Sequence, residues 1–153
     1  MENNQSIFET ICRLREEEPG LPYRFQDERT AGQKDVLYVL ASEGIPFWRK
    51  EDLAKECCGI LKDLVNKEDT ILTDPVLRHF LEHYPICSYF IEFRERVLIT
   101  LEAETSSRER LFHLGMRLAR SGTDPEQVKL GIILLGFFPY DTTKQIMRVL
   151  AYH

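Results

Sequence analysis

Long hydrophobic runs are absent from this sequence. The longest apolar stretch extends from Leu130 to Phe138, which is about half of the roughly 20 residues that a membrane-spanning helix requires. The first residues, Met1 to Ser6, are polar, and they lack the basic and apolar segments of an export signal. We therefore expect a soluble protein of the cytoplasm, with no membrane as its partner.

A dominant charge of one sign is also lacking. The chain has 20 Lys and Arg against 25 Asp and Glu, for a net charge of −5. This small acidic excess disfavours nucleic acid and anionic membranes as partners. The four cysteines, Cys12, Cys57, Cys58 and Cys87, follow no regular spacing, so we expect free thiols rather than a disulfide framework.

Strand signals are missing as well. No stretch keeps an alternation of apolar and polar residues, and neither Asn-Gly nor Asp-Gly occurs, which removes the strongest hairpin signals. The apolar residues instead recur every three to four positions, as on one face of a helix. With 43% hydrophobic and 29% charged residues, the composition is typical of a globular protein. The sequence predicts an all-α single domain, 1–153, with about eight helices.

The N-terminal part, 1–69, contains three expected helices. Ile7, Ile11 and Leu14 mark the first, which the Pro- and Gly-containing loop 19–33 follows. A second helix covers 33–43 and ends before Gly44, and a third covers 49–66 with Cys57 on its apolar stripe.

Phe47 and Trp48 lie in the connector before that third helix. The connector has two interpretations. The two rings either plug the core or form an exposed site for a protein partner. We name Phe47 and Trp48 as the candidate partner-binding residues.

The C-terminal part, 70–153, has clearer helix signals. Asp74-Pro75 and Asp124-Pro125 each combine an N-cap residue with proline at the first helical position. Further signals are Ser106 with Glu109 as a capping box and Asp141 as a cap of the last helix. The expected core positions are Ile86, Phe90, Phe93, Val97, Leu101, Leu111, Leu114, Leu118, Ile146, Val149 and Leu150.

This part also contains two short recurrences. Thr73-Asp74-Pro75 returns as Thr123-Asp124-Pro125, and Arg96-Val97-Leu98 returns as Arg148-Val149-Leu150, each after about 50 residues. In this order of cap, helix, proline and second helix, residues 70–153 resemble the HEAT and armadillo class of helical repeats. The resemblance implies antiparallel helix pairs stacked as an α-solenoid, and an irregular helical bundle is the alternative. Because the last helix reaches His153 without a cap, we also expect that the native chain can continue.

One motif has a catalytic pattern. His79-x-x-Glu82-His83 resembles the zinc motif of inverzincin metallopeptidases. The resemblance implies that His79 and His83 are zinc ligands and that Glu82 is the general base. Pro85 cuts this helix short, however, and no third ligand is apparent downstream. The simpler interpretation places Leu77, Phe80 and Leu81 inward and the motif on the polar margin.

Residues 33–67 allow another interpretation. Their apolar spacing and the phrase Glu51-Asp-Leu-Ala-Lys55 resemble a helix-turn-helix or winged-helix DNA-binding unit. A recognition helix needs clustered basic residues, and the candidate, 57–67, offers only Lys62 and Lys67 beside Asp63.

The function that we predict is an intracellular protein-interaction or scaffold module without catalytic activity. Its partner is another protein, and its oligomeric state stays open. We expect no cofactor and no metal, and His79 and His83 would be the ligands if a metal were bound. A DNA-binding regulator is the second hypothesis, and a zinc hydrolase is a distant third.

Overall fold

The computed structural model describes residues 5–17, 45–103 and 107–151 of the chain. These residues form seven α-helices and two short 3₁₀ segments and include no strand. The prediction of an all-α fold is thus confirmed, and a helical bundle fits it. The α-helices are α1 (Ile7–Glu17), α2 (Phe47–Leu64), α3 (Pro75–His83), α4 (Phe90–Ala103), α5 (Ser107–Ser121), α6 (Pro125–Leu135) and α7 (Asp141–Leu150), and the 3₁₀ segments are Glu68–Thr70 and Ile86–Tyr89.

Three predicted features lie outside the described residues. They are the loop 19–33, the helix 33–43 and the capping box of Ser106. The described helices group into two compact units. We call residues 5–17 and 111–151 the terminal unit, and residues 45–103 and 107–110 the central unit.

The terminal unit begins at a capping box. The backbone N–H of Glu9 donates to Ser6 Oγ at 3.2 Å, and the N–H of Ser6 donates to Glu9 Oε2 at 3.2 Å, which satisfies two donors at the start of α1. The N–H of Ile7 donates to the carbonyl of Gly122 at 3.0 Å, and α1 packs against α7. The unit's core contains Ile7, Ile11, Ala119, Val128, Leu135, Ile146 and Leu150.

Helices α5 and α6 approach each other closely through small residues. A Cβ added to Gly131 would lie 2.6 Å from the backbone N of Ala119 and 2.9 Å from the carbonyl O of Gly115. No side chain fits at such distances, so glycine is required there. The predicted stripe Leu111, Leu114 and Leu118 is buried, as are Leu130 and Leu134 of the apolar helix α6.

The ends of α6 and α7 test three sequence signals. Asp124 caps α6 as predicted, since its Oδ1 accepts from the N–H of Glu126 at 2.8 Å and Pro125 is the first helical residue. Asp141, predicted to cap α7, is instead its first residue, and Tyr140 holds the cap position without a side-chain hydrogen bond. Helix α6 ends at Leu135, so Pro139 lies beyond its terminus.

In the central unit, α2 packs against α3, α4 and the segment Ile86–Tyr89. The buried stripe of α2 is Leu53, Ala54, Cys57, Leu61 and Leu64. Helix α3 starts as predicted, because Asp74 Oδ1 accepts from the N–H of Leu77 at 2.9 Å. Its inward residues Leu77, Phe80 and Leu81 are buried, which confirms the predicted face.

The segment after Pro85 corrects one prediction. The sequence predicts a continuous helix from Ile86 with Phe90 in the core. The structure has a 3₁₀ turn over Ile86–Tyr89 before α4, and Phe90 is 39% exposed. The tighter turn shifts the register, so that Tyr89 is fully buried in its place. The hydroxyl of Tyr89 donates to the carbonyl of Tyr84 at 2.9 Å, which satisfies this buried polar group.

The two recurrences differ in value. Asp74-Pro75 and Asp124-Pro125 start their helices in the same way, one in each unit. In the other recurrence, however, Leu98 is 47% exposed whereas Leu150 is buried at 4%. Matched letters therefore lie on different faces, and stacking of α-solenoid repeats stays a prediction. In the described ranges, no helix is long and apolar enough to cross a membrane.

Candidate interaction surface

Phe47 and Trp48 form the first turn of α2, two residues earlier than the helix was predicted to begin. Their side chains are 67% and 64% exposed. The interpretation that they plug the core is therefore wrong. Pro46 occupies the N-cap position of this helix and offers no side-chain hydrogen bond. Two adjacent aromatic rings thus stand in solvent on a helical backbone, where their positions are defined.

The base of this turn is held by aromatic and polar contacts. Arg49 Nη2 donates to the hydroxyl of Tyr84 at 3.3 Å, and the guanidinium lies 5.4 Å from the centroid of the same ring. The Tyr84 ring in turn lies 5.2 Å from that of Phe80, which is buried. Such cation–π and ring contacts fix the direction of a side chain. They tie the start of α2 to the end of α3.

Exposed apolar side chains are concentrated in the central unit. Among the described residues, seven of the eight large exposed hydrophobic side chains belong to it, namely Phe47, Trp48, Val76, Phe90, Ile91, Leu98 and Ile99. Tyr140 of the terminal unit is the eighth. Clustered exposed apolar residues are typical of interaction surfaces.

Helix α4 carries apolar residues on two faces. Phe93, Val97 and Leu101 are buried, whereas Ile91, Leu98 and Ile99 are 64%, 47% and 60% exposed. Our sequence analysis missed this second face because it followed one stripe of the helix only. The signal was present in the run Val97-Leu98-Ile99, which is wider than a single face of a helix.

The zinc-motif residues share the exposed side of α3. His79, Glu82 and His83 are exposed, and the His79 and His83 ring centroids are 4.1 Å apart. The Nδ1 of His83 lies 2.9 Å from the carbonyl O of His79, and a carbonyl can only accept, so Nδ1 donates. In the described part of the chain, no three His, Cys, Asp or Glu residues group as metal ligands.

The cysteines occupy four different environments, and all are free thiols. Cys57 is fully buried on the apolar stripe of α2, as predicted, and burial raises the pKa of its thiol. Burial also raises the pKa of Cys58 to about 11, against the opposing effect of the nearby Arg96 charge. Neither thiol is activated as a nucleophile, which would need a lowered pKa.

The DNA-binding hypothesis gains little support from the central unit. Lys62, Asp63 and Lys67 are all exposed, so the candidate recognition helix presents an acidic residue beside its basic ones. Its predicted partner helix, 33–43, lies outside the described residues. His113, predicted to be a core histidine, is exposed instead.

The exposed aromatic pair and the outer face of α4 are thus the surface features with the clearest chemistry. Both are apolar, and both lie on helices whose opposite sides are buried. Comparison of the chain with protein-family models, with curated proteins and with solved structures finds no match. What these surfaces bind is therefore inferred from their own residues.

Proposed function

We propose that the chain is a protein-interaction module that recognises another protein through Phe47 and Trp48. The observation that supports this proposal most directly is the exposure of both rings, at 67% and 64%, on consecutive residues of one helical turn. Tryptophan is among the residues that most often dominate the binding energy of an interface. Leaving two such rings in water is unfavourable, and their burial in a partner would reverse that cost.

The chemistry of the partner follows from the side chains. An indole ring needs an apolar pocket and an acceptor for its Nε1–H, since a buried indole N–H is normally hydrogen-bonded. A backbone carbonyl or a carboxylate at the bottom of the pocket would serve. Because Arg49 is held by Tyr84, the turn is organised before binding, which lowers the entropic cost of association.

We place this interaction in the cytoplasm, as a scaffold without catalysis of its own. The four free cysteines support a reducing compartment, because exported proteins commonly pair their cysteines. The raised pKa of Cys58 and the exposed, two-histidine arrangement on α3 give no support to a nucleophilic or zinc-dependent site.

The test compares three versions of the full chain in affinity capture from the source cell: wild type, a Phe47→Ala, Trp48→Ala double variant and Tyr140→Ala. Tyr140 is a matched control because it is also an exposed aromatic, at 54%, but belongs to the terminal unit. We expect a protein that wild type and Tyr140→Ala retain and that the double variant loses. An affinity loss of about 30-fold or more is expected for a hot-spot pair.

Fluorescence then tests whether the rings themselves are buried. Trp48 is the single tryptophan of the chain, so it reports on its own surroundings. Adding the captured protein, or a tryptophan-free version of it, should shift the Trp48 emission to shorter wavelength and protect it from iodide quenching. Equal capture by all three versions, or an unchanged Trp48 spectrum in the complex, would contradict the proposal.

A further inference from the structure

The outer face of α4 has an order of residues that is symmetric about its own centre. Ile91, Arg94, Glu95 and Leu98 follow the spacing i, i+3, i+4, i+7 and therefore form one stripe of the helix. All four side chains are exposed. An apolar residue closes the stripe at each end, and a cation and an anion occupy the middle.

Two such stripes fit each other when one is reversed. With a two-fold axis between positions 94 and 95, Ile91 of one helix meets Leu98 of the other, and Phe90 meets Ile99. At the centre, Arg94 meets Glu95 of the other helix, and the same pair forms again on the opposite side of the axis. An interface with this symmetry is isologous, with the same patch on both subunits.

A parallel arrangement would be less favourable. In a parallel, in-register pair, each residue lies at the level of its own copy, so that Arg94 approaches Arg94 and Glu95 approaches Glu95. Like charges at an interface are repulsive, whereas opposite charges fix the register and the orientation. The charge order on α4 therefore selects the antiparallel pair.

We propose that α4 pairs in antiparallel fashion with α4 of a second copy of this chain, making a two-fold dimer through Ile91, Arg94, Glu95 and Leu98. This pairing goes beyond the proposed function, because it uses a different helix and leaves Phe47 and Trp48 for another protein. A second copy is the occupant that the charges specify, since the complementarity arises when one sequence is set against itself.

The size of the contact defines the kind of dimer. Helix α4 has 14 residues and a length of about 21 Å, and a single helix pair of this length lies at the lower end of specific interfaces. The dimer is therefore reversible and forms with increasing protein concentration. Its partial occupancy at low concentration leaves both monomer and dimer measurable.

Sedimentation velocity of the full chain over a range of concentrations tests the proposal. Wild type should shift from monomer to dimer, whereas an Ile91→Glu, Leu98→Glu double variant should stay monomeric. Val76→Glu is the matched control, because Val76 is 60% exposed on α3 of the same unit, and it should dimerise as wild type does. Circular dichroism of each variant shows whether its helices are intact.

Charge exchange tests the register without adding new apolar or polar area. Arg94→Glu and Glu95→Arg should each weaken dimerisation by about tenfold or more, since each places two like-charge pairs at the axis. The double exchange, or an equimolar mixture of the two single variants, should restore association. The Phe47→Ala, Trp48→Ala variant should dimerise as wild type does, so that failure of the dimer and failure of partner binding are separate results.

Either of two results would overturn the pairing. One is a wild-type chain that stays monomeric at the highest concentration at which it remains in solution. The other is a dimer whose association is unchanged by the single charge variants or is not restored by the double exchange.

Discussion

The terminal and central units bury similar helices by different means. In the terminal unit, small residues let α5 and α6 approach until their backbones nearly touch, as the space at Gly131 shows. In the central unit, branched and aromatic side chains fill the space between α2, α3 and α4. The second arrangement leaves apolar residues outside as well as inside, and we find the candidate binding surfaces there. The difference indicates that the terminal unit is built for packing, and that part of the central unit's apolar surface remains free for binding.

The largest expected effect separates the two faces of α4. Phe93→Ala should lower the free energy of unfolding by about 3–5 kcal/mol, because it removes a fully buried ring and leaves a cavity. Ile91→Ala, on the exposed face of the same helix, should change it by no more than about 0.5 kcal/mol. Denaturant unfolding at a concentration where the chain is monomeric measures both. Comparable losses would mean that the outer face is covered within the monomer.

A pair of glycines tests the close approach in the terminal unit. Gly131→Ala should destabilise the protein by about 1–3 kcal/mol, because the new Cβ overlaps backbone atoms of Gly115 and Ala119. Gly59 lies in α2 with nothing within 4 Å of an added Cβ. There, alanine should stabilise by about 0.5–1 kcal/mol through its higher helix propensity. Thermal or denaturant unfolding of both variants decides the question, and a stable Gly131→Ala protein would remove the distinction between the two kinds of packing.

The smallest expected effect concerns the two equivalent caps. Asp74→Ala and Asp124→Ala should each cost about 1 kcal/mol, since each leaves N–H groups at a helix start without their acceptor. Matched Asp→Asn variants should keep most of the stability, because asparagine also accepts from these N–H groups. Hydrogen exchange should show the loss for Asp74→Ala in α3 and for Asp124→Ala in α6. Loss of protection throughout the chain in both variants would show that the two units unfold together.

The sequence predicted most of the helices because their signals are local. Asp74 and Asp124 cap their helices as expected, since a cap requires only a side chain and the N–H groups that follow it. The burial of Leu114 and Leu118 follows from a period that any helix of this sequence must have. The start of α1 has the same kind of signal, because Ser6 and Glu9 have capping-box spacing, although our sequence analysis did not use it.

The errors occur where more than one local solution is possible. After Pro85 the chain takes a 3₁₀ turn before α4, which exchanges Phe90 for Tyr89 in the core. A helix wheel drawn from Ile86 cannot contain this shift of register, because the shift depends on how Tyr89 reaches the carbonyl of Tyr84. Asp141 is displaced from the cap of α7 for a comparable reason, since Asp141 and the Tyr140 before it both permit a helix start.

The candidate surface was predicted in part. Phe47 and Trp48 were named from the sequence, but exposed and buried aromatics have the same letters, and only the packing of α2 against α3 and α4 distinguishes them. The outer face of α4 was not named at all. Its apolar residues become conspicuous only when Phe93, Val97 and Leu101 are known to satisfy the core.

By itself, the sequence determined the helical class, the caps of α3 and α6 and the inward stripes, because these depend on interactions within a few residues of each other. The tertiary structure decided which apolar residues remain in water and where two helices come close enough to need glycine. Those features depend on which helices pack together, and a periodic pattern shows that a face is apolar without showing what covers it.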